Sequence, residues 1–85
     1  MKLEGHTDKV TSVAFSHDSQ YLATGSFDKM INIWNLKTGD IFKSLDGHSK
    51  AVNSVAFSSN SEYLVSGSED KSLIIWNFNT GKIDL

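Results

Sequence analysis

Leu22-Ala23-Thr24-Gly25-Ser26-Phe27-Asp28-Lys29 is matched, 42 residues further on, by Leu64-Val65-Ser66-Gly67-Ser68-Glu69-Asp70-Lys71. Outward from this pair the spacing holds. Gly5-His6 recurs as Gly47-His48, Ile33-Trp34 as Ile75-Trp76, and Thr38-Gly39 as Thr80-Gly81. Laid over one another, the two copies are identical at about half of their positions, without a gap. A repeat of that length, with Gly-His and Trp in each copy, marks an array of small structural units. The chain divides accordingly into residues 1–42 and residues 43–85.

Within each unit the hydrophobic period is two, which is the period of a strand with two distinct faces. Val10–Phe15, Gln20–Ser26, Met30–Leu36 and Ile41–Leu45 read as four strands. The second unit repeats them as Val52–Phe57, Glu62–Ser68, Ser72–Phe78 and a fragment beginning at Ile83. Between them lie the turn segments Ser16-His17-Asp18-Ser19, Phe27-Asp28-Lys29 and Lys37-Thr38-Gly39-Asp40. With six Gly and no Pro in the chain, the tight turns fall to Gly, Asn, Asp and Ser. Gly39 and Gly81 are the positions expected to supply positive φ. The expected fold is all-β, one four-stranded antiparallel sheet per unit.

These motifs resemble those of the WD-repeat β-propeller family: Gly-His, then Leu22 to Lys29 with its counterpart Leu64 to Lys71, then Ile-Trp. The resemblance covers the whole chain, as two consecutive blades. One position departs from the family pattern, because the dipeptide that names the family is Trp-Asn here, at Asn35 and Asn77. The resemblance implies two hydrogen-bond relays, His6–Thr24–Asp28–Trp34 and His48–Ser66–Asp70–Trp76, that tie the strands and loops of each blade together. It also implies a partner-binding loop face at Lys9, Thr11 and Phe27 on the first blade and at Ala51, Asn53 and Glu69 on the second. Phe27 leads this set, since an aromatic in a turn beside Asp28 has no evident packing role and aromatic anchors are enriched at binding hot spots; the alternative readings are that Phe27 caps a neighbouring blade and that Lys9 and Glu69 are solvated.

Recurring His, Asp and Ser or Thr also admit a reading as chemistry, either a metal site or a hydrolytic triad. The structural reading is favoured, because a catalytic set has no need to appear twice at one spacing. Such a relay gives every polar member a partner, and that is the condition for burying it. His17 has Ser59 as its counterpart and reads as a solvated turn residue. No catalytic residue, metal ligand or cofactor site is assigned.

Composition narrows the function classes. Eight Lys and Arg against ten Asp and Glu give a net charge of −2, so no basic field is available for nucleic acid. The apolar runs, such as Leu73-Ile74-Ile75-Trp76, are far short of the roughly 18 residues of a membrane-spanning helix. There is no Cys, which removes thiol chemistry and leaves the redox compartment undetermined. Closed propellers use about 4–8 blades, so two blades leave apolar sheet faces bare. Either three or four copies of the chain close a ring, or the blades belong to a longer propeller. By the repeat offset, Lys82–Leu85 supplies the first half of a fourth strand and Met1–Glu4 the second half of another. The function expected from the resemblance is a rigid, non-catalytic platform for protein–protein contacts. The alternative is an engineered or excised fragment with a purely structural, self-assembling role.

Overall fold

The structure, a computed structural model, describes residues 1–84. Among the described residues seven strands follow in order: β1 (Val10–Phe15), β2 (Tyr21–Ser26), β3 (Met30–Asn35), β4 (Asp40–Asp46), β5 (Val52–Phe57), β6 (Tyr63–Ser68) and β7 (Leu73–Asn77). They form two antiparallel meanders, a four-stranded sheet in the order β1-β2-β3-β4 and a three-stranded sheet in the order β5-β6-β7. Registers repeat at the sequence offset. Val13 faces Thr24 as Val55 faces Ser66, and Leu22 faces Trp34 as Leu64 faces Trp76.

The second sheet departs from the expected four strands. Its fourth position holds a single bridge, Trp76 to Ile83, with Asp84 N–H donating to the Ile75 carbonyl at 2.8 Å. In the first sheet, by contrast, β4 continues along β3 as far as the pair Met30 and Asp46. Leu85, the end of the expected fragment, lies outside the described residues. The first sheet also runs past the repeat boundary at residue 42, because β4 pairs with β3 on both sides of it.

The turns show why the strands stop where they do. Leu36 N–H bonds the Gln20 carbonyl at 3.0 Å and Gly39 N–H bonds the Asn35 carbonyl at 2.7 Å, so β3 ends at Asn35 rather than Leu36. Gly39 and Gly81 have φ of +82° and +73°. Lys29 and Lys71 take φ of +75° and +72°, a conformation that costs a side-chain-bearing residue roughly 1–2 kcal/mol. Each follows an aspartate whose carboxylate ties the turn: Asp28 Oδ1 accepts Met30 N–H, and Asp70 Oδ1 accepts Ser72 N–H, both at 2.9 Å.

The core lies between the sheets. Ala23, Ile31, Ile33 and Leu45 of the first sheet are buried together with Val52, Val55 and Leu64 of the second. The contact is close enough that Gly25 has no room for a side chain, since a Cβ there would stand 2.7 Å from Val52 Cγ1. Across it, Thr11 Oγ1 donates to the Val52 carbonyl, and His17 N–H donates to Ser61 Oγ at 3.0 Å. The equivalent residues on the outer faces have no such cover. Ile31 is 0% exposed and its counterpart Leu73 is 75% exposed; Val52 is 0% exposed and its counterpart Val10 is 52% exposed.

Candidate interaction face and its supporting relays

In each unit the structure brings the four expected relay side chains together. In the first, His6 Nδ1 lies 2.8 Å from Asp28 Oδ2 and His6 Nε2 lies 2.6 Å from Thr24 Oγ1. Trp34 Nε1–H donates to the same hydroxyl at 2.9 Å. In the second, His48 Nδ1 to Asp70 Oδ2 is 3.0 Å, His48 Nε2 to Ser66 Oγ is 2.7 Å, and Trp76 Nε1–H donates to Ser66 Oγ at 2.8 Å. A carboxylate only accepts, so the imidazole proton sits on Nδ1. Nε2 then accepts the hydroxyl proton while the hydroxyl oxygen accepts the indole N–H. Thr7 N–H and Ser49 N–H complete the aspartate shells, each donating at 3.0 Å.

The order Asp, His, hydroxyl is also that of a hydrolytic triad. Its setting here is unlike one. His48 and Ser66 are buried, and the Ser66 oxygen is already engaged by the Trp76 indole. A nucleophile needs a path for substrate, and this buried hydroxyl, packed between imidazole and indole, has none.

Two supports were not singled out from the sequence. Ser26 Oγ and Ser68 Oγ accept the amides of Asp28 and Asp70, both at 3.1 Å, and so aim each aspartate. Their recurrence at the repeat spacing was the available signal. The second concerns Gly5 and Gly47, where an added Cβ would stand 2.9 Å from Trp34 Cη2 and 2.8 Å from Trp76 Cη2. The Gly of each Gly-His pair is thus a place where the indole edge lies on bare backbone.

Both relay aspartates are held below the ordinary carboxylate value. For Asp28, partial burial acts to raise it and is outweighed by the Met30 amide, the His6 ring and the Thr7 amide. For Asp70 the Ser72 hydroxyl is the main cause, assisted by Ser49 and His48 against an opposing desolvation. Asp18, gripped by the Ser16 hydroxyl and the Gln20 amide, is lowered as well. A depressed carboxyl contributes stability that is present above its unfolded value of 3.8 and is lost as pH falls through the folded value. The part of the urea midpoint that these carboxyls supply should be present above about pH 4 and be lost below it. In Asp70→Asn the acid limb should be shallower than in the wild-type chain, and an unchanged limb would contradict this origin.

The family model for the WD domain, G-beta repeat, matches residues 1–35 and again residues 39–77. The chain belongs to this WD40 repeat family. Similar proteins include the vegetative incompatibility protein HET-E-1 of Podospora anserina, 57% identical over 37 residues that make up 44% of this chain and 3% of that protein. The cell division control protein 4 of Candida albicans is 44% identical over 43 residues, 51% of this chain and 6% of that protein. The NET1-associated nuclear protein 1 of Saccharomyces cerevisiae is 44% identical over 36 residues, 42% of this chain and 4% of that protein. The chain thus spans only a few per cent of these WD40 relatives' lengths. Proteins of the WD40 family generally act as protein-interaction scaffolds and are generally non-catalytic.

Of the six residues expected at a loop face, two pairs are joined through the backbone. Phe27 N–H bonds the Lys9 carbonyl at 2.9 Å, and Glu69 N–H bonds the Ala51 carbonyl at 3.0 Å. Phe27 is 43% exposed although it immediately precedes the anchored Asp28. Lys9, Asn53 and Glu69 are exposed and Ala51 is half-buried. Thr11 differs, because its hydroxyl is engaged inside the molecule by the carbonyls of Gly25 and Val52.

Proposed function

We propose that the chain is a non-catalytic WD-repeat platform that binds protein partners through the loop face at Lys9, Phe27, Asn53 and Glu69, with Thr11 and Ala51 shaping its floor. The relays are the fasteners that hold this face still. What supports the reading is Phe27: an exposed aromatic whose backbone is fixed on one side by Lys9 and on the other by the Asp28 turn. A rigid aromatic of this kind loses little conformational freedom on binding. The mixed charge of the face, Lys9 against Glu69, and the net charge of −2 suit a protein partner better than a polyanion.

The test is comparative capture with immobilised wild-type, Phe27→Ala and Lys82→Ala chains. A protein retained by the wild type should be lost, or its affinity reduced about tenfold or more, with Phe27→Ala. Lys82→Ala should retain it, and thermal stability should be the same for all three chains. Equal retention by the Phe27→Ala chain would move the site off this face.

A further inference from the structure

We infer that Asp46-Gly47 is a site of spontaneous backbone isomerisation, through a cyclic imide, whose product unfastens the second relay. The inference is independent of the loop-face reading. Both relay histidines follow a glycine, but Gly5 follows Glu4 whereas Gly47 follows Asp46. An aspartyl side chain closes a five-membered ring on the next amide nitrogen. A glutamyl side chain has to close a six-membered ring and does so far more slowly. A glycine after the acid removes the side chain that would shield the nitrogen, and it leaves the backbone free to turn as ring closure requires.

The structure leaves this junction open. Asp46 is the last rung of β4, paired with Met30, and the chain leaves the ladder at Gly47. Both residues are exposed. The carboxylates of Asp18, Asp28 and Asp70 are engaged by hydroxyls or backbone amides. Among the described residues, no such bond engages that of Asp46. Asp40, the other exposed aspartate of β4, is followed by the branched Ile41 within the strand.

The reaction consumes nothing but solvent. The Gly47 nitrogen gives up its proton and bonds to the side-chain carboxyl carbon of Asp46, while one carboxyl oxygen leaves as water. Water then adds to one of the two ring carbonyls. Breaking the new C–N bond restores aspartate. Breaking the original one routes the main chain through the side chain, as isoaspartate, with the same atoms and one more carbon ahead of Gly47. That segment has no slack. A Cβ on Gly47 would stand 2.8 Å from Trp76 Cη2 and 3.2 Å from Ile74 Cδ1. The next residue, His48, is buried, with Asp70 Oδ2 at 3.0 Å and Ser66 Oγ at 2.7 Å on its two ring nitrogens. One residue further, Ser49 N–H holds the same aspartate oxygen. An inserted carbon pushes Gly47 against the indole or draws His48 off both partners. The first unit, with Glu4, keeps its relay.

Incubation of the 85-residue chain near neutral pH, in water enriched in heavy oxygen, tests this. Each ring opening leaves one solvent oxygen in the residue. Peptide mapping should find the label, and isoaspartate growing with time, in the peptide carrying Asp46 and not in that carrying Asp40. Asp46→Glu copies Glu4 at an exposed position. It should keep the wild-type circular dichroism, take up no label there and melt unchanged after the same incubation. Isomerised chains, separated by chromatography, should melt roughly 5 °C or more below fresh protein. If Asp46 takes up label in urea but none in the folded chain, the fold protects the junction and the inference is overturned. So is it by equal labelling at Asp40, by label persisting in Asp46→Glu, or by an isomerised chain that melts with the fresh one.

Discussion

Replacing Ser66 by Ala is expected to lower stability by about 2–4 kcal/mol, far more than loss of one small hydroxyl would suggest. The Ser66 oxygen is the meeting point of two buried groups, the Trp76 indole N–H at 2.8 Å and the His48 Nε2 at 2.7 Å. Alanine leaves both in place and orphans both, and each unsatisfied buried group costs about 1–3 kcal/mol. For a domain of this size the loss corresponds to a fall in Tm of roughly 10 °C or more. Ser66→Thr should sit near the wild type, since Thr24 performs the same two contacts in the first unit, at 2.9 and 2.6 Å. Trp76→Phe combined with Ser66→Ala should cost less than the two single changes added together, because the second removes a partner the first has already lost. Thermal melts of the four variants check this; a Ser66→Ala chain within 0.5 kcal/mol of wild type would show that the relay does not fasten the blade.

Much of this arrangement was legible in the repeat. The recurrence of Val10 as Val52, Tyr21 as Tyr63 and Trp34 as Trp76 places three strands per unit to within a residue or two, because period-two burial leaves few alternatives. The expected strands beginning at Gln20 and Glu62 start one residue later, where Tyr21 and Tyr63 carbonyls are first taken up by the Ser16 and Ser58 amides. Less legible were features fixed by neighbours distant in sequence. The left-handed conformation of Lys29 and Lys71 is set by the aspartate before each, not by any preference of lysine. Asn32, whose counterpart is Ile74, stays buried because Ser44 Oγ donates to its Oδ1 at 2.9 Å, a pair with no repeat signal to announce it. Thr11 reads as a surface residue of the loop face, yet its hydroxyl bridges to Val52 in the other sheet. A single strand pattern cannot reveal that, since it depends on how two sheets are stacked.

That stacking makes Gly25 the most sensitive backbone position. Gly25→Val is expected to cost about 3 kcal/mol or more, and Gly25→Ala about 1–3 kcal/mol. The added Cβ stands 2.7 Å from Val52 Cγ1, 3.3 Å from Val52 Cβ and 3.0 Å from Ser12 Oγ. Val52 does not yield readily, since its stiff, β-branched side chain stands in a fully buried site. Gly67 supplies the control, being the same residue at the same register one repeat later. Its added Cβ would meet the Ser54 hydroxyl at 2.9 Å and the exposed end of Leu73 at 3.3 Å, both free to swing aside. Measured in urea, Gly67→Ala should cost no more than about 1 kcal/mol. Equal losses at Gly25 and Gly67 would assign the effect to glycine in a strand rather than to crowding between the sheets. Crowding makes one further demand: Val52→Ala opens the space the new methyl needs. The double change Gly25→Ala with Val52→Ala must then be more stable than the sum of its parts allows, with a coupling of about 0.5–3 kcal/mol.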